Sequence, residues 1–178
     1  MKYLLPALLW LLATACLPFK PTTKNDVFNP IAQLPQEEAP HPKNSLEWWY
    51  ITGHLTDVAT DEKFGVEYVF FHFNPDGRQD YQMVHFALTD PAAQKFTYDY
   101  DLGKLAAPLA PTLPLALTET KKAQTWTLAG QEGRYRLAAR MAAPADYAIS
   151  LTTNPTKPVL LHGNGTGYEQ YGPVAKAG

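Results

Sequence analysis

Two carboxylates within aromatic, β-branched segments are the strongest candidates for chemistry in this chain of 178 residues. Glu67 stands alone on an alternating face that is otherwise apolar, made by Gly65, Val69, Phe71 and Phe73. Glu47 shares a face with Trp49, Ile51 and Leu55. A carboxyl held in apolar surroundings stays protonated and can act as an acid, so both residues are candidate catalytic acids. The competing interpretation is structural, with each carboxylate accepting hydrogen bonds or facing solvent.

Three histidines fall on three consecutive predicted strands, at positions 54, 72 and 85. If they converged, they would resemble a metal site. No paired spacing such as His-x-His is present, so histidines that are hydrogen-bonded or lie at a rim are the favoured interpretation. We therefore predict no metal and no other cofactor.

The candidate acid Glu47 lies in the segment around which the rest of the chain is organised, Leu46 to Leu55. Its aromatic and β-branched residues favour a strand, and alternation places Trp48, Tyr50 and His54 on the face opposite Glu47 and Trp49. Both faces are largely apolar, so both require cover. The predicted ligand-binding residues are Trp48, Trp49, Tyr50, His54, Phe71 and His85.

Composition excludes several classes of protein. The formal charge of −2 and the absence of a glycine-rich phosphate loop argue against nucleic-acid binding. No Gly-x-Ser-x-Gly motif is present, which argues against a serine hydrolase. The 46% hydrophobic content is enough for one core.

The N-terminus predicts export. Residues 1–16 combine Lys2, an apolar run and the small residues Ala13 to Ala15 before Cys16, the one cysteine of the chain. This pattern is typical of a bacterial lipoprotein signal in which Cys16 is acylated, giving a lipid-anchored protein of the cell envelope; an ordinary cleaved signal and a secreted product are the alternative. Residues 17–42, rich in proline and polar residues, predict an extended tether.

Residues 43–168 predict an all-β domain of about eight strands. The first three are Leu46–Leu55, Phe64–Phe73 and Gln82–Thr89, with a strong turn at Asn74–Gly77. Weaker candidates are Lys95–Asp101, Leu113–Glu119, Thr125–Ala129, Tyr135–Arg140 and Tyr147–Thr153. Eight consecutive short strands favour an antiparallel meander closed into a barrel, with a two-sheet β-sandwich as the alternative.

The order of several motifs is similar to that of the AttH-like, carotenoid 1,2-hydratase-like (CrtC-like) family of lipocalin-related proteins. These motifs are His41-Pro42, Glu47-Trp48-Trp49-Tyr50, Gly53-His54-Leu55, Phe64-Gly65, Phe70-Phe71, Ala87-Leu88-Thr89-Asp90 and Lys157-Pro158-Val159-Leu160-Leu161-His162-Gly163. The resemblance implies a lipocalin-like barrel that forms the first half of a two-barrel architecture. Residues 169–178 would then lead toward a second barrel, and an exposed half-interface would be covered by that barrel or by self-association.

The resemblance also implies an activity, the hydration of a carbon–carbon double bond in an isoprenoid. Such a reaction needs an acid that protonates an alkene and aromatic rings that stabilise the cation. The resemblance implies that the family's proposed acid, an aspartate, would lie in the second barrel, beyond the residues that carry the resemblance here. We therefore expect a domain that binds an apolar isoprenoid, carotenoid or lipid, with hydration in the full-length parent. The alternative is a non-catalytic carrier or a structural half that needs a partner.

Overall fold

The computed structural model describes residues 33–121, 124–162 and 167–169. One 3-10 turn, Gln36–Glu38, precedes ten strands in this part of the chain. The strands are β1 Leu46–Thr56, β2 Lys63–Phe73, β3 Tyr81–Asp90, β4 Lys95–Lys104, β5 Leu115–Lys121, β6 Gln124–Gln131, β7 Arg134–Arg140, β8 Ala148–Thr152, β9 Leu160–His162 and β10 Gly167–Glu169. The predicted signal segment, with Cys16, lies outside the described residues, as does the tail beyond Glu169.

The strands form two antiparallel meanders. Strands β1 to β4 pair in chain order in one four-stranded sheet, and β5 to β8 do the same in a second; β9 and β10 form a separate hairpin. Each of the eight predicted strands coincides with one of β1 to β8, so the all-β, antiparallel prediction is confirmed. Turn residues account for the breaks, since proline and glycine at Asn74–Gly77 end β2 and the pair Glu132-Gly133, both with positive φ, joins β6 to β7.

One hydrophobic core lies between the two sheets. The first sheet contributes Val66, Tyr68, Phe70, Val84 and Phe86; the second contributes Leu115, Leu117, Trp126, Leu128, Leu137, Ala139, Ile149 and Leu151. The Tyr68 hydroxyl reaches across to the second sheet and donates to the carbonyl oxygen of Thr127 at 3.0 Å. The carbonyl oxygen of Ala138 lies 3.2 Å from the same hydroxyl. Its burial raises the pKa of Tyr68, so the phenol stays neutral and joins the two sheets.

The two sheets are not joined into a closed barrel. Within the described residues the hydrogen-bonded order stops at β1 and β4 in one sheet and at β5 and β8 in the other. The sandwich alternative therefore fits the arrangement. Residues 105–114 connect the two sheets without helix.

Residues 33–45, most of which belong to the predicted tether, lie against the sheets. Glu38 is buried and its carboxylate accepts the backbone N–H of Glu132 in the β6–β7 turn. Its carbonyl accepts the indole N–H of Trp49 at 3.0 Å. This short segment therefore connects β1 of the first sheet with the second sheet.

The described residues contain no helix that is long and apolar enough to cross a bilayer.

Gly130 in β6 provides a test of the second sheet. Its φ is +148°, and a Cβ there would lie 2.1 Å from the carbonyl oxygen of Arg134. We expect Gly130→Ala to lower the free energy of unfolding by more than about 2 kcal/mol, because either the backbone or the β6–β7 pairing must move.

Gly103→Ala is the matched control for urea denaturation. A Cβ at Gly103 would meet the Glu119 carboxylate at 3.8 Å, an ordinary contact. We expect a change within about 0.5 kcal/mol. Equal stability of the two variants would contradict the described geometry of the β6–β7 turn.

Candidate functional site

Most of the predicted site residues lie on one face of the first sheet, the face that points away from the core. The register pairs Trp48 with Phe71, and Phe71 with Met83, so these side chains stand in one row across β1 to β3. We call this surface the outer face. Its residues are Leu46, Trp48, Tyr50, Thr52, His54 and Thr56 of β1; Lys63, Gly65, Glu67, Val69, Phe71 and Phe73 of β2; Tyr81, Met83, His85, Ala87 and Thr89 of β3; and Phe96, Tyr98, Tyr100, Leu102 and Lys104 of β4. Six of the eight predicted residues are thus brought together by alternation along adjacent strands.

A continuous series of ring contacts crosses the outer face from β1 to β4. Trp48 lies 6.3 Å from Phe71 between ring centroids, Phe71 lies 5.4 Å from His85, and His85 lies 5.6 Å from Tyr98. Tyr98 in turn stacks on Tyr100 at 5.8 Å. The rings at the two ends remain exposed, with Trp48 at 52% and Tyr100 at 53% of their full accessibility. The outer face therefore presents an aromatic surface about four strands wide.

A polar cluster lies within this aromatic surface. His85 Nε2 is 3.5 Å from Oε1 of Glu67, and His85 Nδ1 is 3.1 Å from the Tyr98 hydroxyl. Burial lowers the pKa of His85, an effect that the Glu67 charge opposes in part. Burial raises the pKa of Tyr98, and the neighbouring Tyr100 and Glu67 act in the same direction. The cluster thus combines a neutral imidazole, a neutral phenol and one carboxylate.

The neighbours of His85 determine which nitrogen carries its proton. A carboxylate only accepts hydrogen bonds, so the neutral ring is more stable with its N–H at Nε2, facing Glu67. Nδ1 then accepts from the Tyr98 hydroxyl. The distance of 3.5 Å between Nε2 and Glu67 is too long for a strong hydrogen bond, so Glu67 keeps accepting capacity.

The other candidate acid, Glu47, faces the opposite side of β1. Its two oxygens accept the backbone N–H of His41 at 2.8 and 3.0 Å, and Oε2 lies 3.1 Å from Nδ1 of the same histidine. Trp49, also on this side, packs against the core and donates to Glu38. Through these contacts the Glu47 side chain attaches the 33–45 segment to β1. They place Glu47 and Trp49 apart from the other six predicted residues.

A buried histidine lies between two carboxylates on the inner face of the first sheet, the side that faces the core, at the end where Glu47 lies. His72 is fully buried; its Nε2 is 2.7 Å from Oδ1 of Asp80 and its Nδ1 is 3.4 Å from Oε1 of Glu47. Desolvation alone would lower the pKa of His72, but the contacts and charges of Glu47 and Asp80 outweigh it and raise the pKa above the ordinary value of 6.5. Asn74 also donates to Asp80 at 2.9 Å.

The three histidines that could have formed a metal site do not converge. His54 and His85 lie on the outer face, whereas His72 lies on the inner face next to Glu47. In the part of the chain that the structure describes, no group of three or more histidine, cysteine, aspartate or glutamate side chains could hold a metal ion.

The sequence alone did not point to five residues of these clusters, which are His41, Asn74, Asp80, Tyr98 and Tyr100. The signal for Tyr98 was present, because Phe96, Tyr98, Tyr100 and Leu102 alternate along β4 in the same way as the aromatic residues of β1. His41 and Asp80 lie outside strands, where no periodicity indicates the direction of a side chain.

The raised pKa of His72 predicts a pH dependence of stability. A protonated His72 stabilises the folded state, and this contribution is complete below about pH 6.5 and disappears as the pH rises through the folded-state pKa. We therefore expect urea denaturation to show a falling free energy of unfolding above pH 6.5. The His72→Gln variant should lose this slope.

His54→Gln, at an exposed position of the same sheet, serves as the control and should keep the slope. If His72→Gln does not fold, an NMR titration of the imidazole in the wild-type protein gives the same answer. A His72 pKa at or below 6.5 would contradict the prediction.

Comparison with known proteins agrees with the fold. The model of the AttH-like family matches residues 27–177. A crystal structure of a provisionally assigned AttH from Nitrosomonas europaea is similar, with a TM-score of 0.62 and 25% sequence identity. The match covers 79% of this chain and 43% of that protein, so the chain spans less than half of its length. No curated protein matches the chain. From residue 27 to residue 177, and thus over most of its length, this chain belongs to the AttH-like family.

Proposed function

We propose that this chain is a lipocalin-like domain that binds an apolar isoprenoid or lipid ligand on its outer face. The observation that carries the proposal is the series of ring contacts from Trp48 to Tyr100. An antiparallel sheet with one solvated face normally alternates apolar and polar residues, with the polar ones outside. Here aromatic residues occupy both faces.

The dimensions of the outer face suit an extended hydrocarbon chain. Four strands spaced about 4.8 Å apart give a path of about 14 Å across the sheet. A polyene or acyl chain on that path would cover Trp48, Phe71 and Tyr98, and burial contributes about 25 cal/mol for each Å² of apolar area. Leu102, at 57% exposure, adds a further apolar contact at the β4 edge.

Hydration of a carbon–carbon double bond, as in a carotenoid 1,2-hydratase, is the second candidate, for a longer parent protein. Glu67 favours it, because this carboxylate lies among aromatic rings that could stabilise a carbocation. The reaction, however, needs a protonated carboxyl in a dry pocket, and the Glu67 side chain is 51% exposed. For the chain itself we therefore place binding ahead of catalysis. A non-catalytic carrier and a structural half-domain that needs a partner are the remaining candidates.

We also propose that the domain is held at a membrane of the bacterial envelope by acyl chains on Cys16. The sequence pattern of residues 1–16 supports this proposal. Acyl chains contribute about 0.8 kcal/mol for each buried methylene, so two or more chains anchor a domain stably.

Replacing Cys16 tests the anchor. We expect the variant Cys16→Ala, expressed in a bacterial host, to lack the mass increment of the acyl chains. The protein should then either leave the membrane fraction for the soluble fraction or keep its signal segment uncleaved. A wild-type protein that lacks this increment would contradict acylation.

Replacing exposed apolar side chains of the outer face tests ligand binding. Retinol, an isoprenoid polyene, should quench the tryptophan fluorescence of the wild type saturably. In the double variant Trp48→Ser/Leu102→Ser, Trp49 and Trp126 remain as reporters, and we expect the Kd to rise about tenfold or more because apolar contact area is lost.

Val58→Ser is the matched control, since Val58 is 75% exposed in the β1–β2 turn and away from the outer face. Its Kd should equal that of the wild type. Absence of saturable quenching in the wild type, or an equal effect of both variants, would refute binding at the outer face.

A further inference from the structure

The polar cluster of Glu67, His85 and Tyr98 interrupts the aromatic surface near its middle. Glu67 stands opposite Thr52 on one side and Ala87 on the other, and Ala87 stands opposite Tyr98. His85 occupies the adjacent row, opposite Val69 and Tyr100. An apolar ligand that crosses the ring series therefore passes next to one carboxylate and one phenol.

The polar cluster offers hydrogen-bond acceptors to a ligand. Half of the Glu67 side chain reaches solvent, and a carboxylate accepts hydrogen bonds without donating any. The proton of the Tyr98 hydroxyl is used toward His85 Nδ1, which leaves the phenol oxygen with free lone pairs. The N–H at Nε2 of His85 is buried and directed toward Glu67. The cluster therefore has acceptors that a ligand can reach, whereas its one unpaired donor, the Nε2 N–H of His85, is buried.

From this geometry we propose that the ligand carries a polar head that donates hydrogen bonds, a hydroxyl or an ammonium group, which Glu67 and Tyr98 bind while the rings hold the chain. The proposal deepens the proposed function and rests on it. It assigns to Glu67 a role in ligand selection.

The same geometry disfavours two other kinds of ligand. A fatty acid or other carboxylate would bring a second negative charge next to Glu67, and two like charges in contact repel each other. A pure hydrocarbon would cover Glu67 without replacing the hydrogen bonds that water makes to it, and an uncompensated buried polar group is unfavourable. A donor head avoids both costs.

Three retinoids with the same chain test the head group. Retinol has a hydroxyl, retinylamine an ammonium and retinoic acid a carboxylate, and their Kd values at pH 7.5 follow from tryptophan quenching. We expect retinol and retinylamine to bind the wild type at least tenfold more tightly than retinoic acid. Glu67→Gln should reduce this ratio to threefold or less, chiefly by improving the binding of retinoic acid.

Glu62→Gln is the matched control, because it changes the net charge by the same amount in the exposed β1–β2 turn. It should leave the tenfold ratio unchanged, which separates a local effect of Glu67 from the overall negative charge. Melting curves of both variants verify folding.

The outcomes separate the two proposals. Retinoic acid that binds the wild type as tightly as retinol, or an unchanged ratio in Glu67→Gln, would overturn the donor-head assignment while leaving apolar binding intact. If none of the three retinoids binds the wild type, the proposed function fails, and the head-group proposal fails with it.

Discussion

Packing of the inner face of β1 to β4 on the inner face of β5 to β8 is the interaction on which the rest of the structure depends. Neither meander can bury its apolar side alone, and burying a side chain such as Phe86 or Leu128 contributes about 1.5–3 kcal/mol. The contact is also polar at one point, because the Tyr68 hydroxyl reaches two carbonyls of the opposite sheet. This bond gives the two sheets a fixed relative position that apolar packing alone would leave less defined.

The acidic and histidine residues at one end of the inner face attach the N-terminal segment. Glu47 holds the backbone of His41, and Glu38 connects Trp49 with the turn at Glu132. A carboxylate with several N–H donors is well suited to such an anchoring role. Glu67, a carboxylate on the other side of the sheet, has few hydrogen-bond donors near it and is open to solvent. Its oxygens can therefore accept hydrogen bonds from a ligand.

Strand β1 shows how one sequence element serves two functions. Its odd-numbered residues from Glu47 to Leu55 face the core and the N-terminal segment, whereas Trp48 and Tyr50 face outward. The core-facing set determines stability, and the outward set is free to be selected for binding. The motif Glu47-Trp48-Trp49-Tyr50 can therefore contribute to the core and to the outer face at the same time. Because one fold hosts many functions, family membership alone does not assign a ligand, and the outer face is the feature that supports binding.

The sequence by itself determined the elements. Alternation, proline and glycine placement and β-branched content located all eight strands of the two sheets, and alternation along β1 and β2 correctly separated Trp48 from Trp49 and grouped Glu67 with Phe71. These are local properties, set by the two-residue period of a strand. Only the tertiary structure decided what depends on contacts between distant residues. It paired the sheets as a sandwich rather than a closed barrel, placed His85 between Glu67 and Tyr98, and brought Asp80 and Glu47 to the two sides of His72. The register between strands and the paths of the loops determine those contacts, and no periodic pattern in a single sequence reveals either of them.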